Sequence, residues 1–357
     1  MSDDKYIAFD VHQATTVVWV MNAAGQEVDS TIVPTQPQPL IRYLEGLRGR
    51  LHLTFEEGTY AAWLYDLLQG RVAELVVCDP RHNALLKEGS KTDQHDARKL
   101  ADLLRTGMLR PVYHGSRSLR NLQELAHAYQ ALVQDTTRVM NRIKAFYRSR
   151  GLDCTGHGVY SQKQRASWLE RLPAGASRLR AQLLHEQLDQ LRRLRRKARG
   201  ALLAESRKHT VAARLREVPG FGPLRVALVM AAMQTPHRFR TRRKLWGYAG
   251  LGLVQVGSSE YAWVEGRAVR RPRALQLRGL NRNHRPGLKA LFKSAALVAI
   301  RQPGPFKDYY ESRAQKGVDP AILRVTVARK LAALILRLWK KGGRYQAEGV
   351  KPAGKQA

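Results

Sequence analysis

The sequence predicts an α/β N-terminal domain, then a long helical coiled-coil arm and a mainly α C-terminal domain with a helix-hairpin-helix element. Three observations support this fold class. Short β-branched and aromatic runs alternate with helical patterns at the start of the chain, leucine-rich stripes fill its middle, and a Pro-Gly-Phe-Gly turn lies near the start of the C-terminal region. A chain of 357 residues exceeds one ordinary hydrophobic core. We therefore place domains at 1–115, 116–209 and 210–340, with a disordered basic tail at 341–357.

The N-terminal domain is predicted from strand patterns that first follow one another as hairpins and then alternate with helices. That order is typical of one mixed sheet covered by helical layers. The predicted elements are, in chain order, the strands Lys5–Val11, Thr16–Met21 and Glu27–Val33, the helix Pro39–Leu47, the strand Leu51–Phe55, the helix Tyr60–Leu68, the strand Glu74–Cys78 and the helix Asp93–Thr106.

The middle of the chain is predicted to form an arm of two long helices. Apolar residues keep a near-heptad spacing over Leu122–Phe146, and leucines recur over Leu179–Leu194 beyond a glycine-rich break. We expect helices at about 119–148 and 177–208, packed antiparallel. The run Arg192–Lys197 has two interpretations, a solvated helix face or a face that follows nucleic-acid phosphates.

The C-terminal region shows further helical patterns, among them Leu224–Met233 and the amphipathic Ile322–Trp339. The turn Pro219–Pro223 precedes the first of these helices. Such a turn presents free backbone N–H groups at the positive end of a helix, so Gly220 and Gly222 are candidate contacts for a DNA phosphate. The alternative is a packing turn between two helices.

The charge of the chain is strongly positive and unevenly distributed. Lys and Arg number 62 against 29 Asp and Glu, a formal net charge of +33. The first 100 residues hold 14 acidic and 10 basic residues, whereas the rest hold 15 and 52. This excess indicates nucleic acid as a partner. Cys78 and Cys154 form neither a disulfide framework nor a zinc spacing, and no apolar run is long enough to span a bilayer, so we expect a protein of the reducing cytoplasm.

Four carboxylates are candidates for chemistry. Asp10 and Glu56 each end an apolar run, and Asp93 and Asp96 are three residues apart, hence on one face of a helix. Hard divalent ions bind carboxylate oxygens, and two such ions can stabilise both the attacking and the leaving oxygen at phosphorus. The four residues therefore suit Mg²⁺ or Mn²⁺, in the way that ribonuclease-H-like nucleases hold such ions. The alternative for Asp93 is a helix N-cap, for which Thr92 is another candidate.

A serine and several arginines of the C-terminal region complete the candidate site. Ser258, in Gly257-Ser258-Ser259, can be a nucleophile at phosphorus if a base or a metal activates it, although such a tripeptide is ordinarily a turn. Residues 266–307 contain no acid and eleven Lys or Arg. The candidate phosphate contacts in this stretch are Arg270, Arg271, Arg273, Arg278 and Arg282.

In this order the motifs resemble those of insertion-sequence transposases with an N-terminal RuvC-like DEDD domain and a C-terminal serine transposase domain. That family includes the Piv-type invertases and the bridge-RNA-guided recombinases. The resemblance spans about residues 5 to 340. It is carried by Phe9-Asp10, Glu56–Tyr60, Lys91–Arg98, Val218–Gly222, Tyr248–Leu251 and Gly257–Ser259.

The resemblance implies a ribonuclease-H-like N-terminal fold and a DNA transposase or recombinase that cuts and rejoins strands. Asp10, Glu56, Asp93 and Asp96 would bind Mg²⁺ or Mn²⁺, and Ser258 would form a covalent phosphoserine link to DNA. The composite site would join the carboxylates of one protomer to the serine of another. The implied partners are the DNA of element ends and target, an element-encoded guide RNA, and further copies in a homodimer or homotetramer held by the arm. The implied location is the prokaryotic cytoplasm, at the nucleoid.

Two departures from the family pattern leave alternatives open. The second acid lies in Phe55-Glu56-Glu57-Gly58, so Glu57 is an alternative ligand to Glu56, and Ser259 is an alternative nucleophile because the residues after Ser258 differ. Two other functions also remain, a RuvC-like nuclease that uses metal-activated water and a non-catalytic nucleic-acid-binding protein.

Overall fold

A computed structural model describes residues 3–80, 92–114, 117–256, 260–264, 266–271 and 276–347. The chain divides into two compact units, Met1–His114 and Gly115–Ala357. The second unit contains both the predicted arm and the predicted C-terminal domain, whose mutual boundary stays a prediction.

The first unit is a mixed five-stranded sheet with helices, which confirms the predicted α/β architecture. The strand order is β3-β2-β1-β4-β5. β1 pairs antiparallel with β2, which pairs antiparallel with β3, whereas β1, β4 and β5 run parallel. The elements are β1 (Asp4–Val11), β2 (Thr15–Asn22), β3 (Glu27–Pro34), α1 (Pro37–Gly46), β4 (Arg50–Glu56), α2 (Ala61–Leu68), β5 (Glu74–Cys78) and α3 (Asp93–Arg105).

Side-chain alternation along β1 assigns the two faces of this sheet. Ile7 and Phe9 are buried in a cluster with residues of α1 and α2. Ala8 lies in a different cluster with Leu100 and Ala101 of α3. Because successive side chains of a strand point to opposite faces, the residue after Phe9 belongs to the face that α3 covers.

The second unit begins with two long helices, α4 (Arg117–Arg148) and α6 (Ala176–Arg207), separated by the short α5 (Arg165–Glu170). Both long helices pack together, and Tyr147 near the end of α4 contacts His185 near the start of α6, so they run antiparallel. Apolar residues from the end of α4 and the start of α6 form one buried cluster with the loop that joins them, whereas Leu122, Ala126 and Leu202 belong to another cluster.

A second core surrounds an apolar helix in the rest of this unit. α8 is buried from Val226 to Met233, since its Ala, Val, Leu and Met residues leave no polar face. Residues of α10 and α12 complete that core. The helices are α7 (Val211–Leu215), α8 (Pro223–Met233), α9 (Arg242–Tyr248), α10 (Pro286–Ala299), α11 (Pro305–Ala314) and α12 (Pro320–Lys341).

Four short strands interrupt the region that the sequence predicts as mainly helical. β6 (Leu253–Val256) pairs antiparallel with β9 (Gln276–Leu280), and β7 (Glu260–Val264) pairs antiparallel with β8 (Arg267–Arg271). Gly266, with a φ of +74°, lies in the connection from β7 to β8, where a left-handed backbone favours glycine.

The C-terminal end differs from the prediction of a disordered tail over 341–357. Lys341 belongs to α12, and the backbone N–H of Tyr345 donates to the Glu217 carboxylate at 2.9 Å. The ordered part therefore extends beyond 341, and the remainder of the predicted tail, 348–357, lies outside the described residues. Within the described part of the chain, no helix has the length and apolar character that crossing a membrane requires.

Candidate functional site

Asp10 and Glu56 lie at one edge of the sheet. Asp10 is the penultimate residue of β1 and Glu56 the last residue of β4. The two strands are parallel neighbours in which Phe9 pairs with Phe55, so the residues that follow this pair share an edge and a face. This is the face that α3 covers.

Asp93 and Asp96 lie in the first turn of α3. The hydroxyl of Thr92 accepts the backbone N–H of His95, so Thr92 is the N-cap and the interpretation of Asp93 as the cap is wrong. The positive end of the helix dipole favours negative charge in this first turn.

Asp10 and Asp93 come together around a residue that sequence reasoning missed, His12. The His12 Nε2 lies 3.3 Å from the Asp10 Oδ2 and 3.5 Å from the Asp93 Oδ2. One ligand atom from each of the three residues lies within 4.8 Å of the others. The sequence signal that could have identified His12 was its position just past the end of the predicted first strand, two residues after Asp10. In the structure its backbone N–H donates to the Thr15 carbonyl and closes the hairpin between β1 and β2.

The electrostatics of this site favour a bound cation. Burial raises the pKa of the Asp10 carboxyl, and the carboxylates of Asp93 and Asp96 raise it further while His12 opposes the rise. The Oδ1 of Asp96 is buried and has no hydrogen-bond partner among the described residues. An unsatisfied carboxylate oxygen beside two other carboxylates is the donor chemistry that hard divalent cations bind. The residues present therefore fit such an ion.

The two candidate second acids have different surroundings. The Glu57 carboxylate accepts from the Nε2 of His114 at 2.8 Å, and the His114 ring stacks on Tyr65 with 4.8 Å between centroids. Glu56 is half-buried, takes part in an interaction of its own, and lies outside the group of three ligand residues found in the described part of the chain. The choice of Glu56 over Glu57 as the metal ligand stays a prediction. The hydrogen bond between Glu57 and His114 favours Glu56, because it already occupies the Glu57 carboxylate.

In the second unit, the predicted phosphate-binding turn is a tight loop between α7 and α8. Gly220 has a φ of +81°, and a Cβ there would lie 2.4 Å from the carbonyl oxygen of Ala295. Arg225 donates to the Gly220 carbonyl at 2.9 Å and to the Ser294 hydroxyl at 3.2 Å. Gly222 is the N-cap of α8. The turn borders a cavity of about 550 Å³, so its backbone is accessible to a ligand.

Arg282 lies exposed on a loop that packs against the Ala-Gly-Leu motif. Asn281 donates to the carbonyl of Gly247 at 3.1 Å and to that of Asn283 at 2.8 Å. A Cβ at Gly250, whose φ is +65°, would lie 2.4 Å from the ring of His284. The loop that holds Arg282 and the segment that leads into β6 therefore form one folded piece.

Several predicted site residues lie outside what the structure describes. Ser258 and Ser259 fall in the connection between β6 and β7, at 257–259, and Arg273 falls in 272–275. The structure gives the strands that contain Arg270, Arg271 and Arg278 but not their side chains. The predictions for these residues stay predictions.

An α/β unit in which Asp10 and Asp93 come together, followed by a basic and mainly helical unit, is consistent with the class of DEDD-type transposases. Residues 7–149 match a transposase model for the DEDD domain of IS110 elements, and residues 212–311 match the model of the transposase IS116/IS110/IS902 family. The two matches together cover more than half of the chain, which belongs to the IS110 family of transposases. A search of curated proteins gives no match.

The family match confirms part of the resemblance stated from the sequence. It supports a transposase that acts in DNA transposition and binds DNA, and transposase domains of the DEDD type typically depend on a divalent metal. The matched models name neither a serine transposase domain nor a guide RNA, so these finer parts of the resemblance are not carried by the match.

Proposed function

We propose that this protein is the DNA transposase of a mobile insertion sequence, and that it cuts and rejoins DNA strands with Mg²⁺ or Mn²⁺. The single observation that carries the proposal is the convergence of Asp10, His12 and Asp93, with one ligand atom from each within 4.8 Å. Asp96, with its buried oxygen, and Glu56, at the same sheet edge, complete the set of acids. Divalent ions held there would stabilise the charge that develops on the attacking and leaving oxygens of a phosphodiester.

His12 is the residue that this proposal adds to the four carboxylates. Mg²⁺ prefers oxygen ligands, whereas imidazole suits softer transition metals. In our proposal His12 is a positioning residue, which donates a hydrogen bond to Asp10 or Asp93 and fixes the carboxylates for the ion. His12→Ala would then lower the affinity for Mg²⁺ without removing an oxygen ligand, so that strand cleavage would need a higher Mg²⁺ concentration.

The nucleophile in this proposal is Ser258, with Ser259 as the alternative. The Ser258 Oγ would attack phosphorus and displace a deoxyribose oxygen, which takes up a proton as the hydroxyl proton of the serine is lost to a base. Support comes from the resemblance in motif order and from the acid-free stretch with eleven Lys or Arg at 266–307, which follows Gly257-Ser258-Ser259 in the sequence. The second candidate function, a nuclease that uses metal-activated water, is favoured by the DEDD match itself, which requires no serine.

DNA binding is assigned in this proposal to the second unit. The proposed helix-hairpin-helix element is the α7–α8 turn; Gly220 in the turn, Gly222 at the cap and the cavity beside the turn support this proposal. Arg282 is exposed on the neighbouring basic loop. The further contacts that we propose are Arg270, Arg271, Arg273 and Arg278.

A homodimer or homotetramer held by the coiled-coil arm is the proposed assembly. Leu179 and Leu183 on α6 are each 56% exposed, and Leu194 is 46% exposed. Residues 183 and 194 are three helical turns apart and residues 179 and 183 about one, so they form one apolar stripe on the arm. Such a stripe suits a second copy of the arm. An element-encoded guide RNA is the remaining proposed partner, for which the net charge of +33 supplies the electrostatic attraction.

An adduct assay tests the chemistry. Purified protein is mixed with element-end DNA, flanking RNA and Mg²⁺ and separated on a denaturing gel, with Ser258→Ala, Ser259→Ala and Asp93→Ala beside the wild type. A covalent protein–DNA band that is lost in Ser258→Ala and Asp93→Ala supports the composite site. Metal-dependent cleavage without an adduct supports the water-using nuclease. Binding with no cleavage at any metal concentration would leave a non-catalytic nucleic-acid-binding protein.

A further inference from the structure

A cavity between α9 and α12 is lined by cations and by no residue of the turn or the loop assigned above to DNA, although Phe306 lines both this cavity and the one beside the turn. Its volume is about 440 Å³. Arg242 at the start of α9 and Arg240 just before that helix line the cavity, and its apolar lining includes Phe306 and Leu334. The cationic side chains around it are Arg240, Arg242, Lys330, Arg337, Lys340 and Lys341.

No acid lines this cavity, and the two segments that supply its cations contain none. Residues 218–259 and 320–347 contain no Asp or Glu. Among the residues that the structure describes, none of the six cations forms an ion pair with a carboxylate. Burial lowers the pKa of the Lys330 ammonium, and the nearby Arg313 and Arg242 lower it further. Like charges gathered without counter-charge repel one another, so a folded protein keeps them together at a cost that an anionic ligand removes.

The shape of the cluster indicates a polymer rather than a small anion. On α12 the lining residues Lys330, Leu334, Arg337 and Lys341 follow one another at spacings of four, three and four, which places them on one helix face. Lys330 and Lys341 are separated by eleven residues, or about 16 Å of helix. One phosphate group cannot contact cations over that length, whereas successive phosphates of a nucleic-acid strand can.

Aromatic contacts hold part of the cluster in place without neutralising it. Lys330 lies 4.4 Å from the centre of the Tyr309 ring, and Arg242 lies 5.5 Å from that of Trp246. Arg337 and Lys341 are exposed. The cluster therefore combines anchored cations with cations that are free to reach a phosphate.

We propose that the α9–α12 cavity binds the phosphate backbone of DNA as a second, sequence-independent contact surface of the transposase. The proposal rests on the proposed function for the choice of DNA. It differs from the contacts at the α7–α8 turn and at Arg282, because it uses side-chain cations of α12 and of the start of α9.

The test compares two triple variants of the full-length protein in EDTA, by fluorescence anisotropy on a random-sequence DNA duplex from 0.05 to 1 M salt. The cavity variant is Arg242→Gln, Arg337→Gln and Lys341→Gln. The control variant removes equal charge from exposed cations elsewhere in the same unit and is Arg301→Gln, Lys316→Gln and Arg324→Gln.

Each neutralised phosphate contributes about 0.9 to the slope of log affinity against log salt on duplex DNA. We expect the slope of the cavity variant to fall by about 2 to 3 while that of the control falls by less than about 1. The cavity variant should also have a melting temperature no lower than that of wild type, since removing three cations relieves the repulsion among those that line the cavity. Equal changes in the two variants overturn the proposal.

Two further arms identify the anion. Inorganic pyrophosphate at millimolar concentration should raise the melting temperature of the wild-type protein only slightly. The proposal is overturned, in favour of a small-anion site, if pyrophosphate raises that temperature strongly in wild type but not in the cavity variant, while the cavity variant keeps the wild-type salt dependence of DNA affinity. A slope change on an RNA duplex but not on DNA would overturn the choice of DNA. Because binding is measured without metal, a failure here is distinguishable from a failure of the proposed strand cleavage, which is measured with it.

Discussion

Replacing Gly220 by alanine should destabilise the second unit by several kcal/mol. The residue has a φ of +81°, a left-handed conformation that costs an L-residue with a Cβ about 1–2 kcal/mol. The new Cβ would also lie 2.4 Å from the backbone oxygen of Ala295, about 1 Å inside ordinary contact, and this oxygen cannot rotate away. Overpacking of that kind costs typically another 1–3 kcal/mol. We therefore expect a loss of about 2–5 kcal/mol.

Gly222→Ala is the matched control. Gly222 has an extended conformation, with φ −70° and ψ 172°, and a Cβ there meets nothing within 4 Å. Alanine is a poorer N-cap than glycine, so we expect a loss below about 1 kcal/mol. The residue borders the cavity beside the turn, and its Cβ would obstruct a phosphate that contacts the N-terminus of α8.

Thermal unfolding followed by circular dichroism, together with DNA affinity, separates the two effects. For a unit of this size about 1 kcal/mol corresponds to about 2–4 °C, so Gly220→Ala should melt at least about 4 °C lower and Gly222→Ala within about 4 °C of wild type. Gly222→Ala should instead lose DNA affinity. A Gly220→Ala protein with the melting temperature of wild type would refute the reasoning, because the turn would then tolerate a Cβ beside the Ala295 carbonyl of α10.

Two further predictions concern the metal and a buried histidine. Mn²⁺ should raise the melting temperature of wild type, by the equivalent of about 2.7 kcal/mol at a hundredfold excess over Kd, and a rise that persists in Asp93→Asn would place the ion elsewhere. His185 is fully buried beside Tyr147, and burial, with Arg165 adding to it, lowers its pKa to about 4. Since the unfolded histidine has a pKa near 6.5, the unfolded state binds the proton first, so stability should fall by about 3 kcal/mol as the pH drops from about 6.5 to 4. Denaturant titrations of wild type and His185→Gln should diverge over that window, and parallel curves would contradict this.

The first unit was predictable because its signals are local. The strand predicted at Leu51–Phe55 is observed at Arg50–Glu56, and the helix predicted from Asp93 begins there. Alternation of side chains and turn residues at strand ends fix such elements without knowledge of the rest of the chain. The same signals placed Asp10 at the edge where a parallel neighbour ends.

The contacts of the site were not predictable because they depend on distant segments. His12 meets Asp93 only because α3 docks on the face of the sheet that contains Asp10, across some eighty residues of chain. The strands β6 and β9 were missed for a related reason. Leu253 pairs with Leu280. Strands of four and five residues show too few alternations to be recognised from the sequence before their pairing partners are known.

The division of charge along the chain makes binding and chemistry separable. The acidic unit has three carboxylates close together, and without a cation they repel both one another and an approaching phosphate. The basic unit has cations in excess that need no metal to attract DNA. A transposase built in this way should bind DNA in EDTA and cut it only with the ion. Asp93→Asn should then keep the salt dependence of binding, whereas loss of the α9–α12 cations should keep the melting shift that Mn²⁺ produces.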